Sequence, residues 1–525
     1  MLLVDPVSPV KPPPVRFHSI LDEKPDASHG REGTGAPDFF HDLNLDQIIA
    51  AITIGRKEYD LVAFFQARVR DLDTIAYRQE VMHDLEEEGL AQTVRTFAKE
   101  MRAMREHLEQ AKKLYYKYEK ERWFLSAVSL YCAGVYGLAQ NLHNAELKSR
   151  GMRAFCAWLV DYVESASFAA LLAQARTLES DLSAIRYALL IKNMSITVRD
   201  YDAEVDESAA VEQTFEKFKQ GAPKDYRVKF SDGPGMNHVQ AQVLDRVALL
   251  NPETFRALNT FCTEQVDYLD GKVAAFDREI QFYLAYLEFV EGFKRAGLAF
   301  CYPRVSDTSK EISCSGAFDL ALACKLVREK TGVVCNDFFL RDPERIFVVS
   351  GPNQGGKTTF ARTFGQIHYL ACLGCPVPGT QAKLFLFDQL LCHFERAEDI
   401  SNLHGKLQDD LVRIKKILDR ATPNSIVVIN EIFSSTSLED AVDLGRKVLA
   451  RISQLDLLCV CVTFLDELAS FDEKCVSLVS TVDPQDLSVR TYKVVRKPAD
   501  GLSYALAIAR KYRLTYGLMQ ERMKA

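Results

Sequence analysis

No stretch of this 525-residue chain holds the roughly 18 consecutive apolar residues that a membrane-spanning helix requires. The opening Met1-Leu2-Leu3-Val4-Asp5-Pro6 has neither a basic start nor a long apolar segment, so no secretory leader is expected and the expected location is cytoplasmic. Positive charge is not in excess. The chain has 65 Lys and Arg against 72 Asp and Glu, a net charge of −7. That excludes a uniformly basic nucleic-acid coat, and any DNA contact must come from a local basic face. Cys372-Leu373-Gly374-Cys375 has no second CxxC pair, and the 13 cysteines fall in apolar runs such as Leu458-Cys459-Val460-Cys461-Val462. That usage reads as reduced, buried thiols rather than a metal or redox centre. There is no internal repeat.

What remains is an ordinary globular composition, 47% hydrophobic and 26% charged, in a chain long enough for about two to four domains. Residues 1–37 carry Pro6, Pro9, Pro12, Pro13, Pro14 and Pro25, then Gly30, Gly33 and Gly35, and read as a flexible tail. Residues 38–315 are mainly helical in pattern. The clearest helix has Val273, Phe276, Ile280, Tyr283, Leu287 and Val290 at alternating three- and four-residue spacing, the a/d seam of a helix packed along a partner. A strand-containing insert at about 190–240 interrupts these helices, with alternation at Ser195–Arg199 and Tyr226–Phe230 and breakers at Gly221, Pro223, Gly233, Pro234 and Gly235. From 316 to 525 short apolar runs at Ile346–Val349, Ile426–Ile429 and Leu457–Val462 alternate with helical segments containing Leu411, Ile414 and Leu418, and Leu444, Val448 and Ile452. That alternation predicts an α/β domain with a parallel sheet.

The α/β region contains Gly351-Pro352-Asn353-Gln354-Gly355-Gly356-Lys357-Thr358, which matches GxxxxGK[ST]. A strand enters the motif and a helical stretch beginning at Thr358-Thr359 leaves it, which is the context of a P-loop. Glycines let the backbone wrap phosphates, and the helix N-terminus contributes its positive dipole end. The motif predicts ATP with Mg²⁺, Lys357 reaching the β- and γ-phosphates and Thr358 ligating the metal. A second apolar run ends in Asn430-Glu431, at the kind of strand end where α/β sheets place their ligands. Glu431 is the candidate general base or water-positioning group. Asn430 occupies the metal-side position, where its amide oxygen can accept a hydrogen bond from a metal-bound water but brings no charge.

At these residues the chain resembles the MutS family of DNA mismatch-repair ATPases. Gly351–Thr358 runs on into Thr359-Phe360-Ala361-Arg362 as the family's P-loop does, with Gln354 where methionine is usual. Gly374-Cys375-Pro376-Val377-Pro378, Glu431-Ile432-Phe433-Ser434-Ser435-Thr436-Ser437 and Gly501-Leu502-Ser503-Tyr504-Ala505 with Ala509 resemble three further family segments, and Asp71, Ile75, Arg78 and Val81 have the spacing of its helical core motif. The likeness is dense over about 320–515 and sparser, but in the same order, over about 40–315. It implies a multidomain protein in which a mainly α-helical core and lever region carries a small clamp-like insert and is followed by an α/β P-loop ATPase domain. It also implies a homodimer in which Ser434, Ser435, Thr436 and Ser437 reach the neighbour's γ-phosphate. Ser437 ahead of Leu438-Glu439-Asp440 reads equally well as a helix N-cap.

The departures qualify what the family would imply. No mismatch-reading domain is expected before residue 38. Phe289-Val290-Glu291 and Phe471-Asp472-Glu473 spell its Phe-x-Glu motif, but in a helix and in the α/β region. Thr463-Phe464 stands where the family has Thr-His, and with Asn430 this predicts slow hydrolysis. No nuclease domain is expected after the ATPase motifs. For double-stranded DNA, mismatched or branched, the resemblance points to the insert and its Lys224, Arg227 and Lys229. A second basic stretch, 95–122, interleaves Arg95, Lys99, Arg102, Arg105, Lys112, Lys113, Lys117, Lys120 and Arg122 with five glutamates, and by charge pattern reads as a solvated helix face. Two functions follow: an ATP-controlled dimeric DNA clamp for mismatch repair, other repair or recombination control, or a nucleotide-switched protein-interaction module with no DNA role.

Overall fold

The computed structural model describes residues 17–24, 37–193, 195–202, 235–395, 405–486 and 489–499. The chain divides into two compact units. One comprises 1–16, 88–147 and 153–277; the other comprises 17–87, 148–152 and 278–525. The division therefore does not fall at 315/316. It passes through the helix Gly271–Arg295, between Asp277 and Arg278.

The first unit is helical. Its longest elements are Glu88–Lys113 and Lys117–Asn144, followed by Ala166–Ala184, His238–Leu250 and Pro252–Glu264. Apolar residues at helical spacing, including Leu90, Val94, Phe97, Met101 and Met104, form the buried stripe of the first of these. A two-stranded antiparallel hairpin, Tyr187–Lys192 with Ser195–Asp200, continues from the helix Ala166–Ala184. The strand expected at Ser195–Arg199 is present and pairs with Tyr187–Lys192. The run Tyr226–Phe230, with Lys224, Arg227 and Lys229, lies outside the described residues. Val198 packs beside a small core of Val247, Ala248 and Phe255. The basic stretch 95–122 is laced with carboxylates: Arg95 pairs with Glu88 at 3.0 Å, Lys112 with Glu109 at 2.7 Å, and Arg122 with Glu179 at 3.8 Å. No single helix among the described residues is long and apolar enough to cross a membrane.

The second unit holds a six-stranded sheet built from β1 Ile346–Ser350, β2 Leu390–Phe394, β3 Ile426–Asn430, β4 Leu458–Val462, β5 Cys475–Val482 and β6 Arg490–Arg496. The spatial order is β2-β3-β4-β1-β5-β6, parallel throughout except for the antiparallel edge pair β5–β6. β1, β3 and β4 are buried along their whole length, as near-continuous Val, Ile and Cys strands covered on both faces must be. Helices α1 Lys357–Cys372, α2 Lys406–Arg420 and α3 Leu438–Leu455 are the main crossovers. Ile414, Val448 and Ile452 face the sheet core, whereas Leu411 is exposed. A smaller four-stranded sheet lies in the same unit, in the order Arg304–Ser306, Gln381–Phe385, Ile312–Ala317, Asn336–Leu340.

Two expectations need correction in this unit. Residues 17–24, assigned to a flexible tail, are anchored. Phe17, Ile20 and Leu21 are buried, and the Tyr77 and Tyr283 hydroxyls donate to the carbonyls of Ser19 (2.8 Å) and Ile20 (2.6 Å). Three apolar residues outweighed the nearby prolines. Residues 1–16 and 25–36 lie outside the described set. The helix Gly271–Arg295 is not a one-seam helix either: Gln281, Phe282, Leu284, Ala285 and Tyr286 are buried along with Val273, Phe276, Ile280, Tyr283 and Val290. An a/d spacing does not exclude burial of further faces along the middle of a helix.

The sequence segments around Arg78 and Gly374 meet within this unit. Asp71 caps the helix Leu72–Asp84 by accepting from the Thr74 N–H at 2.8 Å. Arg78, 1% exposed, donates to the carbonyls of Leu21 at 3.0 Å and Leu373 at 3.4 Å. Gly374 has φ +78°, and a side chain there would come within 2.6 Å of the Arg78 Cβ. The Tyr286 hydroxyl holds the Pro376 carbonyl at 2.6 Å. Cys372 and Cys375 are free and buried, and burial pushes the Cys372 thiol up to about 12. Among the described residues no cluster of three His, Cys, Asp or Glu has the makings of a metal site.

Candidate functional site

The site forms where β1, β3 and β4 end side by side. β1 stops at Ser350, and the chain turns at once through Gly351 at φ +113°, Gln354 at +58° and Gly356 at +91°. Glycine adopts such angles without strain, whereas Gln354 must be held there by the loop. Gly356 is the N-cap of α1 and contributes no side chain, so the first-turn N–H groups are left without a side-chain cap. The first helical bond runs from the Phe360 N–H to the Gly356 carbonyl, 2.9 Å. Pro352, Gly355 and Lys357 are buried, Asn353 and Gln354 are exposed, and Thr358 and Thr359 are half-buried.

Lys357 folds back over the loop. Its Nζ donates to the carbonyls of Gly351 (3.0 Å) and Pro352 (3.1 Å), and lies 4.7 Å from the centre of the half-exposed Phe464 ring. Such a cation–π contact contributes about 0.5–1 kcal/mol at a partly exposed position. Phe464 is brought there by the β4–β1 register, in which Val462 pairs with Val349, extended by the Thr463 N–H donating to the Val349 carbonyl at 3.0 Å. Burial lowers the proton affinity of Lys357, and the neighbouring Glu431 carboxylate works against that shift.

From the next strand, Asn430 Oδ1 accepts from the Thr358 hydroxyl at 2.8 Å. The two residues named for the metal position are therefore together. Glu431 follows with φ +59°, its N–H donating to the Val462 carbonyl at 2.9 Å, and Phe433 repeats φ +59° two residues later. For residues with side chains these angles cost about 1–3 kcal/mol each. The kink sends Ile432 and Phe433 into the core beneath the sheet and leaves Ser434 and Ser435 exposed. Burial raises the Glu431 carboxyl above its ordinary range, with the Lys357 charge opposing and the Glu395 charge adding to the rise.

The hydroxyls after Glu431 divide by role. Ser437 is the N-cap of α3, accepting from the Asp440 N–H at 3.2 Å and donating to its carboxylate at 2.7 Å. The Thr436 hydroxyl is 3.5 Å from the same carboxylate. Ser434 donates to Glu395 Oε1 at 3.2 Å, and Glu395 also pairs with Lys406 at the start of α2. Glu395 escaped the sequence reading, although it carries the same signature as Glu431, a charged residue directly after an apolar strand. β2 pairs Phe394 with Asn430, which puts Glu395 and Glu431 next along adjacent strands. Arg490 was missed as well; its Nε donates to the Asn353 carbonyl at 3.1 Å.

A parallel α/β unit with polar groups gathered at the strand ends, one of them preceded by a glycine-bounded loop leading into a helix, has the arrangement of the doubly wound class. Comparison with known proteins makes this specific. The sequence model of the family described as MutS domain V matches residues 347–522. The DNA mismatch repair protein MutS of Orientia tsutsugamushi (strain Boryong) is 30% identical over 210 residues, 38% of this chain and 24% of that protein. MutS of Halalkalibacterium halodurans is 29% identical over 181 residues, 34% of this chain and 21% of its own length. The DNA mismatch repair protein MSH3 of Yarrowia lipolytica is 29% identical over 201 residues, 37% and 20% of the two chains. The matched region thus spans about a fifth to a quarter of these curated relatives. Over this C-terminal region the chain is similar to the MutS family.

Proposed function

We propose that this protein binds ATP with Mg²⁺ at Gly351–Thr359 and works as a homodimeric, ATP-controlled clamp on double-stranded DNA, in mismatch repair, other DNA repair or recombination control. The observation that carries the nucleotide reading is the convergence of Lys357, the Thr358–Asn430 pair and Glu431 at three adjacent strand ends. The uncapped first turn of α1 offers backbone N–H groups to phosphate oxygens, and Lys357 is poised to exchange its loop carbonyls for them. Mg²⁺ fits a site of neutral oxygens. The Thr358 hydroxyl would hold it directly and the Asn430 amide through a water, and the ion would supply charge neutralisation at the phosphates. Glu431, half-buried and with raised proton affinity, is the group to orient or deprotonate the attacking water. The DNA and repair roles are supported by the likeness to MutS domain V and to mismatch-repair proteins that extend well beyond the matched region.

The test separates binding from turnover. Lys357→Ala is expected to lower ATP affinity by at least a hundredfold, read by calorimetry. Glu431→Gln should bind ATP like the parent and lose turnover. Parental turnover in Glu431→Gln overturns the assignment of the base. A second reading, a nucleotide switch with slow turnover and no DNA role, is favoured by the neutral Asn430 and by Phe464 resting on Lys357.

A further inference from the structure

The buried hydroxyl of Ser480 has no part in the site as described so far, yet it lies against the loop. Ser480 follows Val479, which pairs with Ser350, so β5 runs alongside the point where β1 gives way to Gly351. The residue is fully buried, and its Oγ has no hydrogen-bond partner among the described residues. A Cβ placed on Gly351 would lie 2.7 Å from this oxygen and 2.8 Å from the Ser480 carbonyl, and one placed on Gly355 would lie 2.5 Å from it. Glycine at both positions is what admits the hydroxyl so close to the loop backbone. A buried hydroxyl without a partner destabilises a fold, and a state in which it is paired would relieve that cost.

The loop supplies such a state. The Gly351 and Pro352 carbonyls are held by Lys357 Nζ at 3.0 and 3.1 Å, and Pro352 also by the Gly355 N–H at 3.2 Å. Both donors are groups that bound phosphate would claim. Once they turn to phosphate oxygens, two carbonyls lose their partners, and a nearby donor can take one of them over. Ser480 lies against Gly351, the residue that carries one of them.

We propose that Ser480 is a positioning residue for nucleotide binding, its hydroxyl donating to the Gly351 carbonyl when Lys357 leaves that carbonyl for phosphate. The inference rests on the reading of Gly351–Thr358 as a phosphate loop. Its signature is two effects of opposite sign. Ser480→Ala removes an unpaired hydroxyl from the nucleotide-free protein, so thermal unfolding without nucleotide should occur at the parent's temperature or above it. The same variant should bind ATP with Mg²⁺ about five- to tenfold more weakly, the loss of one neutral hydrogen bond. Ser480→Cys, with a weak donor of similar shape, should fall between the two. A residue that serves only packing would lower unfolding temperature and affinity together, and that result overturns the proposal. So does a Ser480→Ala protein that binds ATP as tightly as the parent. A parent that binds no nucleotide sinks the phosphate-loop reading itself, and the inference with it.

Discussion

Asn430 holds the Thr358 hydroxyl with an uncharged oxygen, next to a carboxylate whose proton affinity is already raised. An aspartate there would accept the same hydrogen bond and add a full negative charge near the metal position. At an effective dielectric typical of partly buried sites, one added charge strengthens cation binding by roughly tenfold. Asn430→Asp is therefore expected to reach half-maximal activity at about one-tenth the parent's Mg²⁺ concentration, and to turn ATP over faster. Steady-state phosphate release against Mg²⁺ measures both, and unchanged curves would show that the amide is no brake. Lys357, Thr358, Asn430 and Glu431 were legible in the sequence because each stands at a fixed offset from an apolar strand. The contact of Phe464 with Lys357 was not. It depends on the β4–β1 register, which joins residues more than a hundred positions apart and has no local signal. Ser480 was hidden for the same reason, since nothing around it in sequence says that it borders the loop.

At the level of elements, the parallel strands announced themselves as apolar runs of five or so residues, and the structure places β1, β3 and β4 where those runs lie. Helix faces were less legible, because heptad spacing does not distinguish one buried seam from burial all round, and Leu411 sits on the exposed side of α2. Connections between elements depend on ion pairs that no spacing rule finds. The turn from α3 to β4 is one of them. Asp456, at φ +55°, ends α3. Its carboxylate takes Lys474 at 2.8 Å and Lys310 and Arg345 at 3.2 Å each. Burial alone would raise the Asp456 carboxyl, but hydrogen bonds from Lys474 and Lys310 and the Arg345 charge bring it down to about 2. A folded value below the unfolded one, about 3.9, means that the carboxylate stabilises the fold above pH 4, and that this contribution is lost as pH falls from about 4 to about 2. Asp456→Asn keeps a residue suited to the left-handed turn and removes the charge. Urea unfolding should show the variant less stable than the parent at pH 7, with the gap closing toward pH 2. A gap independent of pH would mean that the network contributes through packing rather than charge.

For the whole molecule the question is whether a chain of net charge −7 holds DNA at all. The described basic helix 88–113 answers weakly, because several of its cations are already matched by Glu88, Glu109 or Asp277. That leaves Lys224, Arg227 and Lys229 as the cations proposed to meet phosphates. Each phosphate neutralised releases counterion, so the logarithm of affinity falls against the logarithm of salt with a slope near −0.9 per contact. Replacing all three by alanine should then flatten the slope for duplex DNA by about two to three units and weaken binding most at low salt. Under the proposed clamp reading, binding should also depend on ATP and on dimer formation. Light scattering with ATP, Mg²⁺ and the Glu431→Gln protein, in which turnover is expected to stop, should show a dimer. Persistent monomers with nucleotide bound would remove the composite site, and with it the role given to Ser434 and Ser435. Equal affinity for matched and mismatched duplex would remove mismatch specificity alone. No binding to matched, mismatched or branched DNA even at low salt would end the clamp reading and leave the nucleotide-switched interaction module, because Lys357, Thr358, Asn430 and Glu431 need no DNA to do what their geometry allows.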